Sequence, residues 1–137
     1  MSPNNKSPRI RVIQKIYGSM LNPGVAINYS KSQYKKFIKD VVEGTIERTE
    51  YIEETVKKHL TNDINLKRTD KLLKIIIYAA VFEFLYKHNN PVKVIISEYL
   101  KAAEFFLEKA QINYLNAILD KISKKLRNEN NWKNYHW

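Results

Sequence analysis

From Thr69 to His88 the chain runs without a glycine, a proline or any other turn signal, and it is apolar almost all the way round. Leu72, Leu73, Ile75, Ile76, Ile77, Ala79, Ala80, Val81, Phe82, Phe84 and Leu85 fall on most of a helical circumference. The three consecutive isoleucines alone would suit a buried strand, but so long an uninterrupted segment reads as a helix. A helix apolar on nearly every side has to sit at the centre of a fold, with other helices packed around it. Three glycines and four prolines leave little material for the turns of an all-β sandwich or barrel. The expected fold class is therefore all-α, a compact bundle of five to seven helices.

The flanking segments supply the surrounding helices. Ser7-Pro8 reads as a helix start, with serine capping the free amides and proline at the first position, where it loses no hydrogen bond. Val12, Ile13, Ile16, Tyr17 and Met20 follow at helical spacing, and Asn22-Pro23-Gly24 ends the helix. After a loop, Ser30 or Ser32 caps an apolar stripe from Tyr34 to Leu60, expected as one long helix with Gly44 and Thr49 as weak points. Asn90-Pro91 repeats the cap-and-proline device and opens a helix to about Glu108, and a last helix runs from about Ile112 to Arg127. Ile76, Ala80, Phe84, Ile96, Leu100, Ile118 and Leu119 are expected to be buried together. The organisation expected is one domain over residues 1–127 and a flexible polar and aromatic tail over 128–137.

Charge narrows the function. The formal charge of the 137-residue chain is +10, and it is unevenly spread. Residues 1–39 carry eight basic side chains (Lys6, Arg9, Arg11, Lys15, Lys31, Lys35, Lys36, Lys39) and no acid, whereas residues 40–64 hold seven acids against three bases. Such an asymmetry is the footprint of a polyanion partner on the N-terminal segment. Arginine forks suit phosphates and base edges, and nearby aromatic rings, here Tyr17 and Tyr114, stack unpaired bases. Catalytic patterns are missing: His59, His88 and His136 form no i,i+4 pair, and the sequence has no H-E-x-x-H, glycine-rich phosphate loop or G-x-S-x-G. With no cysteine there is no disulfide framework, thiolate metal site or cysteine nucleophile. No enzyme, cofactor or metal is expected. A polar N-terminus and the want of a membrane-length apolar run make a soluble cytoplasmic protein the default expectation.

Four segments, in order along the chain, resemble the NusB family. Arg11-Val12-Ile13-Gln14-Lys15-Ile16-Tyr17 is similar to its N-terminal R-x-x-x-x-Q-A-L-Y stretch. Ile77-Tyr78-Ala79-Ala80-Val81-Phe82-Glu83-Phe84 resembles its L-R-L-A-V-Y-E-L helix, with Arg68 and Asp70 matching an upstream R-x-D. Pro91-Val92-Lys93-Val94-Ile95-Ile96-Ser97-Glu98 is similar to P-Y-K-V-A-I-N-E, and Tyr114-Leu115-Asn116-Ala117-Ile118-Leu119-Asp120-Lys121-Ile122 to F-V-N-G-V-L-D-K-I. The chain departs from the family at Asn113, where a basic residue is usual, at Ala117 for glycine and at Tyr78 for arginine. Only twelve residues separate Leu21 from Tyr34, so the family's short second helix is expected to be missing or reduced to a turn.

The resemblance implies two packed three-helix halves and a role in transcription antitermination. It implies binding of boxA-type single-stranded leader RNA together with NusE, a small-subunit ribosomal protein, within the transcription elongation complex. Carried over residue by residue, RNA binding falls to Arg9, Arg11, Gln14, Tyr17, Tyr114 and Asn116, with the arginines expected on one face with Tyr114 and Asn116; Lys6, a basic residue just ahead of the first helix, is expected to join them. The protein partner is expected near Lys71, Lys74 and Tyr78, and the chain itself as monomer or homodimer. Two other readings share the fold: an interaction module that has lost RNA binding, and an accessory domain like that of ribosomal RNA cytosine methyltransferases.

Overall fold

The computed structural model describes residues 7–60 and 62–127, and within them the chain is helical and turn-connected, without strands. Six helices follow in order: α1 (Pro8–Leu21), α2 (Lys35–Glu47), α3 (Thr49–His59), α4 (Lys71–Tyr86), α5 (Val92–Ala103) and α6 (Lys109–Leu126). Helix α4 packs against each of the other five, as its all-round apolar sequence requires. Residues 73–84 of it are buried except Lys74, and each fully buried aliphatic side chain contributes about 1.5–3 kcal/mol of transfer free energy. The segment 22–34 forms turns and extended chain with no helix in it. Residues 128–137, read above as a flexible tail, lie outside the described residues.

The Ser7-Pro8 start is realised: the Ser7 hydroxyl accepts from the Ile10 amide at 3.4 Å. At the far end of α1, Gly24 takes the left-handed φ of +84° that the turn requires. Asp70 caps α4 by accepting from the Leu72 and Leu73 amides.

Several boundaries differ from expectation. The long second stripe is two helices, broken at Arg48 (φ −106°, ψ 19°), because the Thr49 hydroxyl donates to the carbonyls of Thr45 and Ile46, both at 2.9 Å. Gly44 is no weak point. There α2 lies directly against α4, and a Cβ would stand 2.3 Å from the Phe82 ring. Neither Ser30 nor Ser32 caps α2; the Ser32 hydroxyl accepts from Tyr34 one turn earlier. Asn90 does not cap α5, since its side chain turns inward to Glu83. Helix α5 stops at Ala103, and α6 starts at Lys109 behind a reciprocal capping box of Glu108 and Gln111. Ile76, Ala80, Phe84, Ile118 and Leu119 are buried as expected, but Ile96 and Leu100 are only half-buried, because their faces open into the groove between α5 and α6.

Candidate nucleic-acid interface

Helix α1 has two faces of opposite character. Its inner face carries Arg9, which is 6% exposed and forks onto the fully buried Glu83, with Nε donating at 3.0 Å and Nη2 at 2.6 Å. The guanidinium lies between the rings of Phe37 and Tyr99, 4.9 and 5.4 Å from their centroids. Asn90 donates a further hydrogen bond to Glu83 at 3.2 Å. Burial opposes the charge of Arg9, but the hydrogen bond and the charge of Glu83 outweigh it and raise its pKa above the ordinary value. The Tyr99 hydroxyl is likewise pushed up, by burial first and by Glu83 second. Arg9 was expected to meet RNA; its guanidinium is instead committed to the core, since a buried carboxylate on α4 must be paired.

The same corner holds Arg127, whose guanidinium donates to the carbonyls of Phe84 at 2.8 Å, Glu83 at 2.9 Å, Lys87 at 2.6 Å and Asn90. These are end carbonyls of α4 and its following turn; those of Glu83 and Lys87 also accept the amides of Lys87 and Asn90, so Arg127 adds a second donor there.

The outer face of α1 carries Arg11, Gln14 and Lys15. Arg11 and Lys15 are half-buried along their stems and Gln14 is exposed. Among the described residues none of the three is in an ion pair. They line a groove of about 470 Å³ whose other walls come from Asn22 to Ser30 and from Lys35 at the start of α2. No aspartate or glutamate lines it; the carboxylate of Glu43 on α2 acts on the wall residue Tyr29, whose hydroxyl pKa is raised by burial first and by Glu43 second. The Lys15 ammonium stands 5.7 Å from the centroid of the Tyr29 ring. A smaller hollow of about 210 Å³ next to it shares Arg11 and is walled by Pro8, Ser32, Gln33 and Tyr34.

The remaining expected residues lie apart from this groove. Lys6 is outside the described residues. Tyr17 is half-buried and packs against the core. Tyr114 is 37% exposed, and its hydroxyl donates to the Asp63 carbonyl at 2.9 Å, so it lies against the connection between α3 and α4. Asn116 lines the α5–α6 groove with Ile96, Leu100 and Ile112. Two residues apart on α6, Tyr114 and Asn116 point to opposite flanks. The structure thus joins Arg11 to Gln14 but brings neither into a groove with Tyr114 or Asn116. On the expected partner surface, Lys71 is exposed and Lys74 donates to the Leu66 carbonyl at 3.4 Å. Tyr78 is 6% exposed with its hydroxyl donated to Glu53 at 3.0 Å, and burial together with Glu53 raises its pKa. It is an interior residue, because α3 lies over it.

Sequence reasoning counted Lys35 in the basic run but did not place it, with Tyr29 and Ser30, in one groove with Arg11. The signal was present in the acid-free run of residues 1–39, but which of its lysines converge depends on how the 22–34 segment folds back on α1. No cluster of three or more metal-ligating side chains occurs among the described residues, and no helix there is long and apolar enough to cross a membrane.

Residues 4–124 match the NusB family. Among curated proteins, the chain is 33% identical over 94 residues to the transcription antitermination protein NusB of Mesorhizobium japonicum, covering 69% of this chain and 61% of that protein. It is 31% identical over 105 residues to the NusB protein of Rickettsia conorii, covering 77% of this chain and 65% of that one. The chain thus spans less than two thirds of the length of these relatives. The solved structure of T. maritima NusB superposes with a TM-score of 0.77 over 96% of this chain and 98% of that one, at 18% identity, a likeness of fold.

Proposed function

The chain belongs to the NusB family, and from that premise we propose that it is a non-enzymatic transcription antitermination factor that binds boxA-type single-stranded RNA together with NusE. The observation that carries the reading is the outer face of α1, where Arg11, in no ion pair among the described residues, and Gln14 border a groove that no aspartate or glutamate lines. An unpaired arginine in such surroundings neutralises a phosphate with a forked pair of charge-assisted hydrogen bonds, and glutamine offers a donor and an acceptor to a base edge. Lys6, which precedes α1 in the sequence, adds a further positive charge for the strand, and Tyr114 and Asn116 on α6 serve a later stretch of it. Arg9 takes no part in contacting RNA. The NusE surface lies on the side of Lys71 and Lys74, with Tyr78 withdrawn beneath it.

Titration of a fluorescent boxA-like oligonucleotide, with and without NusE, tests this directly. Binding is expected to weaken with salt, as counterion release demands, and to tighten when NusE is added. The burial of Arg9 favours one rival, a NusB-fold interaction module without RNA affinity, and NusE binding with no detectable RNA binding at near-physiological salt would select it.

A further inference from the structure

The groove beside Arg11 is two-sided in its chemistry. One wall is cationic, with Arg11 and Lys15 one turn apart on α1 and Lys35 facing them from the start of α2. The other wall is the 25–30 segment, whose Val25 is 66% exposed and is followed by Ala26, Ile27 and the Tyr29 ring. Gln14, Asn22 and Ser30 border the space between them. Phosphate alone has no use for an apolar lip. A nucleotide has both an anionic phosphate and a planar base whose edge carries donors and acceptors. The volume of about 470 Å³ falls in the range that encloses a small organic molecule.

We propose that this groove receives one nucleotide unit of the bound strand, its phosphate held by Lys15 and Lys35 with Arg11, and its base laid against the Val25–Tyr29 wall. The proposal rests on the RNA-binding reading and adds to it the 22–34 connection, which becomes part of the binding surface instead of a spacer between helices. Gln14 and Asn22 are placed to read the base edge.

The test compares the double variant Lys15→Gln/Lys35→Gln with a control, Lys109→Gln/Lys125→Gln, which removes the same charge from exposed positions on α6 outside the groove. Circular dichroism melting first establishes that both are folded. With a boxA-like oligonucleotide, the groove variant is expected to bind about tenfold or more weakly and to flatten the log–log salt dependence by about 1.4, some 0.7 per lost contact to a single strand. The control should change neither. With 4-thiouridine in the strand, photo-cross-links are expected within residues 25–30. If wild type binds RNA and the groove variant matches the control, or cross-links fall only around Tyr114 and Asn116, the groove assignment is overturned while the RNA reading survives. If wild type binds no RNA with NusE present, both fall. Displacement of the strand by poly-glutamate as effectively as by unlabelled oligonucleotide would make this an acidic-peptide groove and overturn the nucleotide assignment.

Discussion

Arg9 and Arg11 leave the same helix two residues apart and end in different media. Two residues turn a helix by about 200°, so the first points into the core and the second out of it. Inside, Arg9 meets a buried carboxylate at 2.6 Å, between two aromatic rings. Outside, Arg11 borders a groove without an acid and keeps its hydrogen-bonding fork for something the chain does not itself supply. The same side chain serves architecture at one position and recognition at the other, and only its phase relative to α4 decides which.

The largest effect should come from breaking the inner pair. Glu83→Ala leaves a buried guanidinium without its partner, and such a loss costs about 3–5 kcal/mol. Urea unfolding should show it as a large fall in midpoint. Glu83→Leu combined with Arg9→Met should recover much of that loss, because removing both charges removes the unpaired one. A double variant as unstable as Glu83→Ala would mean that the pair is worth more than its mutual neutralisation.

A milder test lies at Asp40, a half-exposed carboxylate that accepts from Lys36 at 2.9 Å and from Lys87 at 3.1 Å, tying α2 to the end of α4. The hydrogen bond from Lys36, with the bond and charge of Lys87 behind it, hold its pKa below the ordinary carboxylate value despite some desolvation. A carboxylate depressed in the folded state stabilises above its unfolded pKa of about 3.9, and that contribution is lost as pH falls through the lower, folded value. The stability difference between wild type and Asp40→Asn should accordingly be constant near neutrality and shrink below about pH 4. A difference that stays level into acid would remove the electrostatic account of this link.

Smallest in stability, and sharpest for the comparison, is Arg11→Gln. Its unfolding free energy should stay within about 0.5 kcal/mol of wild type, as for a surface change away from packed groups. Its RNA affinity should fall, with the salt slope reduced by about 0.7 for one lost phosphate contact. An Arg11 variant as damaged in stability as Glu83→Ala would erase the distinction between the two faces.

The bundle was legible in the sequence because hydrophobic period and end signals agree at the central elements. Residues 69–88 admit only an interior helix, and Ser7-Pro8 opens α1 as it reads. Where local chemistry competes with tertiary demand, the reading shifted. Asn90-Pro91 has the form of a helix start, but the asparagine is drawn to Glu83 because that buried carboxylate needs donors more than α5 needs a cap. Gly44 has the form of a break, and its reason lies in Phe82, thirty-eight residues on. The interface was legible as a charge field and not as a set of residues. The acid-free run of residues 1–39 marks the side of the molecule, but a count of charges cannot tell Arg9 from Arg11 without Glu83 to claim one of them, and Tyr114 and Asn116 share a motif while facing different flanks of α6. Likeness to a motif conserves side-chain identity, and the fold assigns its direction.

The guanidinium of Arg127 bears on how the chain comes to be folded at all. The carbonyls it gathers lie 37 to 44 residues earlier, and the carboxylate beside them is paired with an arginine 74 residues earlier still. The middle of the polypeptide is therefore finished by its two flanks. During synthesis α1 emerges first and holds a cation with nothing to neutralise, then α4 emerges with a carboxylate and an open end, and neither is settled until α6 has been made. At about 5–20 residues per second, the roughly forty residues between α4 and Arg127 amount to seconds in which the most apolar helix of the chain is incomplete. Fragments ending before α6 would keep that state permanently, leaving the side of α4 that α6 covers open to association with other chains.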